Sequence, residues 1–328
     1  MAKKSKRGSG PRPGSNRAER VAARKARAAA TLEPSPRPFA GLAAECDLVA
    51  LRSFVSSATA VLDLVEPGPT IPEPTSVMPD DAPRPAPKAG ERNEVLLATI
   101  LPGAIPALVR EFRGAPQGVA ATQTDPEPAD VSSALAQSIS WAAHAKIGDE
   151  YAGPGIESGQ TLADVLKADA PLDIIVYDDF SWWFPDGAEV PAEIAPMVER
   201  ASDTVLPTAR LHPKSGIGAP WWVDAGDRAH LRWVRPESED ELMNALARLH
   251  AAGRLTLGEG SRFAGSFRTH GLLVPVFDLD NEMHHEEWYE GLDRFDTWLT
   301  EALGEPGDLT IEERSSRDGL RTRQVTIR

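Results

Sequence analysis

Three stretches of this chain repeat one order of events: a strand-forming run, a turn, a second strand-forming run, an acidic cluster, then a helix. They are ALVREFRGAPQGVAATQTDPEPADVSSALAQSI, PWWVDAGDRAHLRWVRPESEDELMNALARLH and FAGSFRTHGLLVPVFDLDNEMHHEEWYEGLDRFDTWL. Each switches from strand-like to helical apolar periodicity at its acidic cluster. In the third, Trp288, Leu292, Phe295, Leu299 and Leu303 fall on one helical face and form a candidate core stripe. The spacing between units is irregular, which excludes a solenoid. The fold class expected is α+β, with mixed or antiparallel sheets built from degenerate strand-strand-helix units in two similar-sized halves. Hairpin–helix units are common in α+β proteins, so the pattern also arises without duplication.

Around these units the chain divides. Residues 1–37 read as a basic, largely disordered tail. Residues 38–152 read as an N-terminal half, opening with a short helix and a β-prone run (LAAECDLVALRSFVSSATAVLDL). That half carries a proline-rich insert at 66–90, which holds eight prolines and reads as disordered, partly polyproline chain. A helix is expected from about Val131 to Lys146. Residues 153–171 read as a linker with a helical turn at Leu162–Lys167. Residues 172–328 form the C-terminal half, starting with LDIIVY as a buried strand. Its end is expected to be a hairpin, Leu309–Glu313 with Leu320–Ile327, turning at Arg317-Asp318-Gly319.

Charge is segregated. The 328 residues carry a formal net charge of −14, yet residues 1–30 hold ten Lys or Arg against the single acid Glu19. The tail is therefore +9 and the remainder −23. Such a body repels phosphate backbones, so any nucleic acid would meet the tail, at Lys3, Lys4, Lys6, Arg7, Arg24, Lys25 and Arg27. Without interleaved aromatics that contact is non-specific and salt-sensitive. The rival for the tail is the protein's own acidic body, held at high effective concentration. Cys46 is the only cysteine, so an intramolecular disulfide is impossible and a reducing, cytoplasmic setting is expected. No stretch reads as a signal peptide or a bilayer span, and no membrane partner is expected.

Chemical motifs are sparse. The chain has no Gly-Lys dipeptide for a phosphate loop, and Gly258, Gly260 and Gly265 miss dinucleotide-binding spacing, so no cofactor is expected. Asp278, Asp280 and His284 are the candidate metal ligands. Met283 stands where a calcium loop needs glycine, and adjacent His284 and His285 diverge on a helix. The cheaper reading of the cluster is a helix N-terminus capped by Asp280 or Asn281. Asp178 and Asp179 end an apolar strand and are the candidate catalytic acids, although no second base or nucleophile motif accompanies them. The adjacent pairs Trp182-Trp183 and Trp221-Trp222 are the candidate partner-binding residues, because neighbours on a strand face opposite sides. The other reading is a sheet covered on both faces. The function expected is a non-catalytic binding or adaptor protein, meeting a protein partner and tethered by its tail. The alternative is an enzyme using Asp178 and Asp179, with or without a divalent metal.

The stretches RPFAGLAAECDLVALRSFVSSATAVLDL, LLATILPGAIPALVR and GRLTLGEGSRFAGSFRTHGLLVPVFDL resemble an uncharacterised actinobacterial domain-of-unknown-function family over roughly residues 37–328. In that family a short zinc motif like the C-terminus of the translocase motor SecA often precedes the domain. Here the corresponding KRGSGPRPGSNRAERVAARKARAAA has neither Cys nor His, so the resemblance implies no zinc site in this chain. The segment RLTLGEGSRFAGSFRTHGLLVPVFDL is also similar to SseB-like proteins, which implies paired strands backed by a helix.

Overall fold

Side chains on the central strands alternate between two covered faces, and this alternation organises the molecule. The structure, a computed structural model, describes residues 35–65, 94–153, 160–184 and 190–326. The expected disordered tail, apart from its last residues, and the proline-rich insert lie outside the described residues. In chain order the elements begin with α1 (Glu45–Ser53), β1 (Ala58–Asp63), β2 (Glu94–Ile100), β3 (Ala107–Phe112), β4 (Ala115–Gln123), α2 (Val131–His144), β5 (Glu150–Tyr151) and β6 (Ile174–Val176). They continue with α3 (Ala195–Ser202), β7 (Thr208–Arg210), β8 (Ala219–Asp224), β9 (Ala229–Val234), α4 (Glu239–Ala251), β10 (Ser261–Thr269) and β11 (Leu272–Leu279). The last three are α5 (Tyr289–Gly304), α6 (Ile311–Arg321) and β12 (Gln324–Thr326).

The fold is α+β, with two six-stranded sheets ordered β5-β3-β4-β2-β1-β6 and β12-β10-β11-β9-β8-β7. The first is mixed because β2 and β4 run parallel. In the second, β12 pairs parallel to β10 and the remaining pairs are antiparallel. The three repeated stretches form β3–β4–α2, β8–β9–α4 and β10–β11–α5. Two of the hairpins turn through left-handed pairs, Arg113-Gly114 and His270-Gly271, the backbone that two-residue hairpin loops require.

Both faces of each sheet are covered over the central strands, while Val61 and Ile175 leave one face open at the β1–β6 end of the first sheet. On the first, Ala58, Ala60, Leu62, Val95 and Leu97 point to a core shared with α1 and α2, while Ala98, Val119 and Ala121 meet Phe180, Trp182 and Val198. On the second, Trp221, Leu272 and Val274 join the α1 core, and Trp222, Leu273 and Phe277 join the core of α4 and α5. A bulge between Phe263 and Gly265 lets β10 send Phe263 to one core and Phe267 to the other. At Gly265 a Cβ would lie 2.6 Å from the Arg323 carbonyl oxygen, so only glycine lets β12 approach.

The layer between the sheets is α1. Six of its nine residues are buried, including Cys46 and even Glu45, because it packs on β4 from one sheet and on β8 and β9 from the other. Its acidic first turn is held by two bidentate ion pairs. Arg37 meets Glu45 at 2.9 and 2.6 Å, and Arg210 of β7 meets Asp47 at 2.6 and 3.3 Å. At the other end, Gln123 Nε2 donates to the Leu51 and Val55 carbonyls at 2.6 and 2.9 Å, satisfying C-terminal groups that the helix leaves open.

The structure corrects two sequence expectations. The proposed terminal hairpin is instead α6 followed by the short β12. Thr310 and Glu313 form a reciprocal capping box, and Arg317 and Arg321 bond to Asn244 and Asp240 of α4, so helix initiation outweighs the Asp318-Gly319 turn signal. The strand within LDIIVY is not buried in the second half. It is β6, the edge of the first sheet, with Ile175 56% exposed. Among the described residues no helix is long and apolar enough to cross a membrane.

Because α1 serves both sheets, Leu48→Ala, at a position 1% exposed, is expected to cost about 2–5 kcal/mol. Urea unfolding followed by far-UV circular dichroism and by tryptophan fluorescence should give one coincident transition at a lower midpoint. Two separated transitions would show that the sheets unfold independently.

Candidate functional site

A cavity lies where β4 leaves the first sheet and turns into α2. It has a volume of about 430 Å3, within the range of small-molecule sites. Its walls come from α1 (Arg52), the end of β4 (Thr122), the loop Thr124–Asp130 and the first turns of α2 (Ser133, Ala134, Gln137). The loop contains a cis peptide between Asp125 and Pro126. Asp130 caps α2, its carboxylate accepting from the Ser133 backbone N–H at 3.0 Å. Part of the lining is apolar, through Pro106, Val131, Ala134 and Leu135, and the rest forms a polar side.

The cationic group of that polar side is Arg52, whose side chain is only 7% exposed. One guanidinium nitrogen, Nη1, donates to the Thr122 carbonyl, and Nη2 donates to Glu127 Oε1 at 2.9 Å. Buried Nε has no hydrogen-bond partner. Glu127 is 68% exposed on the loop, so a buried cation leans on a solvent-exposed acid. On α2, the Gln137 carboxamide donates to the Ser133 hydroxyl oxygen at 3.1 Å, leaving the Ser133 hydroxyl hydrogen to point elsewhere. The His270 imidazole is held down to about 4 by burial and by the nearby Arg52 charge.

The residues singled out from sequence lie elsewhere. Asp178 and Asp179 are exposed at the end of β6. The Asp179 carboxylate accepts from the Ser181 backbone N–H at 2.9 Å, and its carbonyl accepts from the Ser57 hydroxyl at 2.6 Å. Asp278 sits on β11 beside Arg262 (2.7 Å), Arg228 (2.9 Å) and His230 (3.2 Å). Burial alone would raise the Asp278 carboxyl, but the Arg262 hydrogen bond and the surrounding positive charge hold it below its usual range. Asp280 turns to the Glu282 backbone N–H at 3.0 Å, and His284 lies against His285 with ring centres 4.0 Å apart and the rings tilted by 45°. These three candidate ligands are thus engaged separately, and among the described residues no group of three or more His, Cys, Asp or Glu is placed to hold a metal ion. The helical cap also moves: His284, not Asp280 or Asn281, caps the turn leading into α5, with Glu287 closing the box.

The tryptophan pairs are packed inward. Trp221 and Trp222 point to opposite cores of the second sheet, 1% and 6% exposed. Trp182 and Trp183 lie in a helical turn against the first sheet. Their indole N–H groups donate to the Ser57 hydroxyl at 2.8 Å and the Ile100 carbonyl at 3.0 Å. The basic candidates Lys3, Lys4, Lys6, Arg7, Arg24, Lys25 and Arg27 lie outside the described residues. Sequence reading missed the cavity because Arg52 has no motif around it and meets Thr122 and Glu127 from 70 and 75 positions away.

The fold and this cavity define a two-sheet α+β protein with helices on and between its sheets and a polar pocket at one strand end. The chain belongs to the Family of unknown function (DUF5926), whose family model matches residues 38–328. No curated protein and no solved structure shows significant similarity to it.

The His270 imidazole, at about 4 in the folded chain, returns toward its ordinary 6.5 on unfolding. Between these values the unfolded chain holds the extra proton, so stability is present above pH 6.5 and is lost as pH falls toward 4. Asparagine tolerates the left-handed backbone of this position, with its φ of 46°. His270→Asn is therefore expected to show a flatter loss of stability between pH 6.5 and 4 in urea midpoints measured across that window. An unchanged slope would mean that His270 does not contribute to it.

Proposed function

We propose that this is a non-catalytic binding protein of the cytoplasm, whose cavity between Arg52, the Thr124–Asp130 loop and α2 receives a small polar ligand. The observation that carries this reading is the juxtaposition of a 430 Å3 cavity with a guanidinium that is buried and incompletely partnered. A buried polar group without a partner costs about 1–3 kcal/mol, which a ligand acceptor recovers on binding. The basic segment 1–30 supplies the second contact, an electrostatic tether to nucleic acid. A protein partner would meet the exposed acidic body, since the four tryptophans first considered for that role pack inward.

Two measurements test the two parts. A thermal-shift screen of small polar metabolites should yield compounds that stabilise the full chain by about 2.7 kcal/mol at a hundred times their Kd. Ala134→Trp, which fills the cavity, should abolish the shift while leaving the unliganded circular dichroism unchanged. A screen without any stabiliser, or stabilisation that survives Ala134→Trp, overturns the cavity reading. For the tether, fluorescence anisotropy with a single-stranded oligonucleotide should give a log K versus log salt slope of about −0.7 per phosphate contacted. Deleting residues 1–30 should remove it, and equal binding by the shortened chain would remove the assigned role.

A further inference from the structure

We infer that the cavity's ligand is a small monocarboxylate with a short apolar body, whose carboxylate takes the place of Glu127 on Arg52. This rests on the cavity being a binding site. Three features of the site set the class. First, Glu127 already shows what the guanidinium donates to: a carboxylate oxygen 2.9 Å from Nη2. That acid binds one nitrogen while the neighbouring Nε–H is unpartnered, whereas a free carboxylate has two oxygens and suits two parallel N–H donors. Second, the two partners differ in setting. Arg52 is 7% exposed and immobilised by the Thr122 carbonyl, while Glu127 is 68% exposed on a loop, where an ion pair contributes little. The exchange therefore frees a solvated side chain and leaves the buried cation neutralised throughout.

Third, the remaining charges limit the anion. Asp125, Glu127 and Asp130 all line the cavity against one arginine, so a dianion meets about twice the repulsion that a monoanion does. This favours a carboxylate over a phosphate. Beyond the charged end, Val131, Ala134 and Leu135 provide an apolar wall for a chain or ring.

Isothermal titration of the full chain with hexanoate and 3-phenylpropanoate, each against its neutral amide, and with inorganic phosphate tests this. The expected result is binding of the acids, at least ten-fold weaker binding of the amides, and weaker binding of phosphate. Glu127→Gln removes the competing charge at an exposed position, so folding is preserved. It should tighten the acids several-fold and leave the amides unchanged. Amides binding as well as acids, phosphate binding as tightly as the acids, or acid affinity unaltered by Glu127→Gln would each overturn the carboxylate assignment while leaving the cavity a binding site. Absence of binding by every probe to both proteins would overturn the carboxylate assignment, while the cavity reading stands or falls on the thermal-shift screen and Ala134→Trp.

Discussion

The structure depends on how a nine-residue helix, too short to be stable alone, is held between two sheets. Nothing in α1 reads as a strong helix, yet each end is clamped by a different part of the chain. Its acids are gripped by Arg37 and by Arg210, which also donates to the Gly218 carbonyl at 3.1 Å and lies over the Trp221 ring. Its C-terminal carbonyls receive donors from Thr122 and Gln123 of the first sheet. Negative charge at the N-terminus and Arg52 at the C-terminus also suit the helix dipole. The residues between, Leu48, Val49, Ala50 and Leu51, fill the gap between sheets and are almost wholly buried. One element thus sets the spacing of the sheets and delivers Arg52 to the cavity.

The order of strand, turn, strand and helix was legible because it is written locally. Pairs such as Arg113-Gly114 and stripes such as Trp288, Leu292, Phe295, Leu299 and Leu303 need no distant partner to be recognised, and of that stripe the first four are buried and Leu303 partly so. The helix at α1 was legible too, but not its central position, which follows from Asp47 meeting Arg210 across 163 residues. At the C-terminus two local signals competed. The Asp318-Gly319 turn lost to the Thr310–Glu313 capping box because the helix also gains polar contacts with α4. The candidate site was the least legible part. An arginine, a threonine carbonyl and an acidic loop acquire meaning only when folding brings them together.

The tryptophan pairs show how similar words in sequence are used differently. Trp221-Trp222 lies on a central strand, where alternation sends the rings to two separate cores. Trp182-Trp183 lies in a turn, and the rings fold onto the same outer face of the first sheet, with Phe180 stacked on Trp183 at 4.5 Å. Both solutions bury aromatic area against the sheets. The Asp278 cluster is similar in kind: its alternating acids suggest metal, but the cross-strand neighbour Arg262, together with Arg228, supplies the positive charge.

The burial of α1 also isolates Cys46. Its thiol is pushed up to about 12, by burial first and then by the charges of Glu45 and Asp47. At neutral pH almost no thiolate exists, and the residue is buried within α1. Alkylation of this lone cysteine therefore acts as a clock for the parting of the two sheets, ticking only when the layer between them opens.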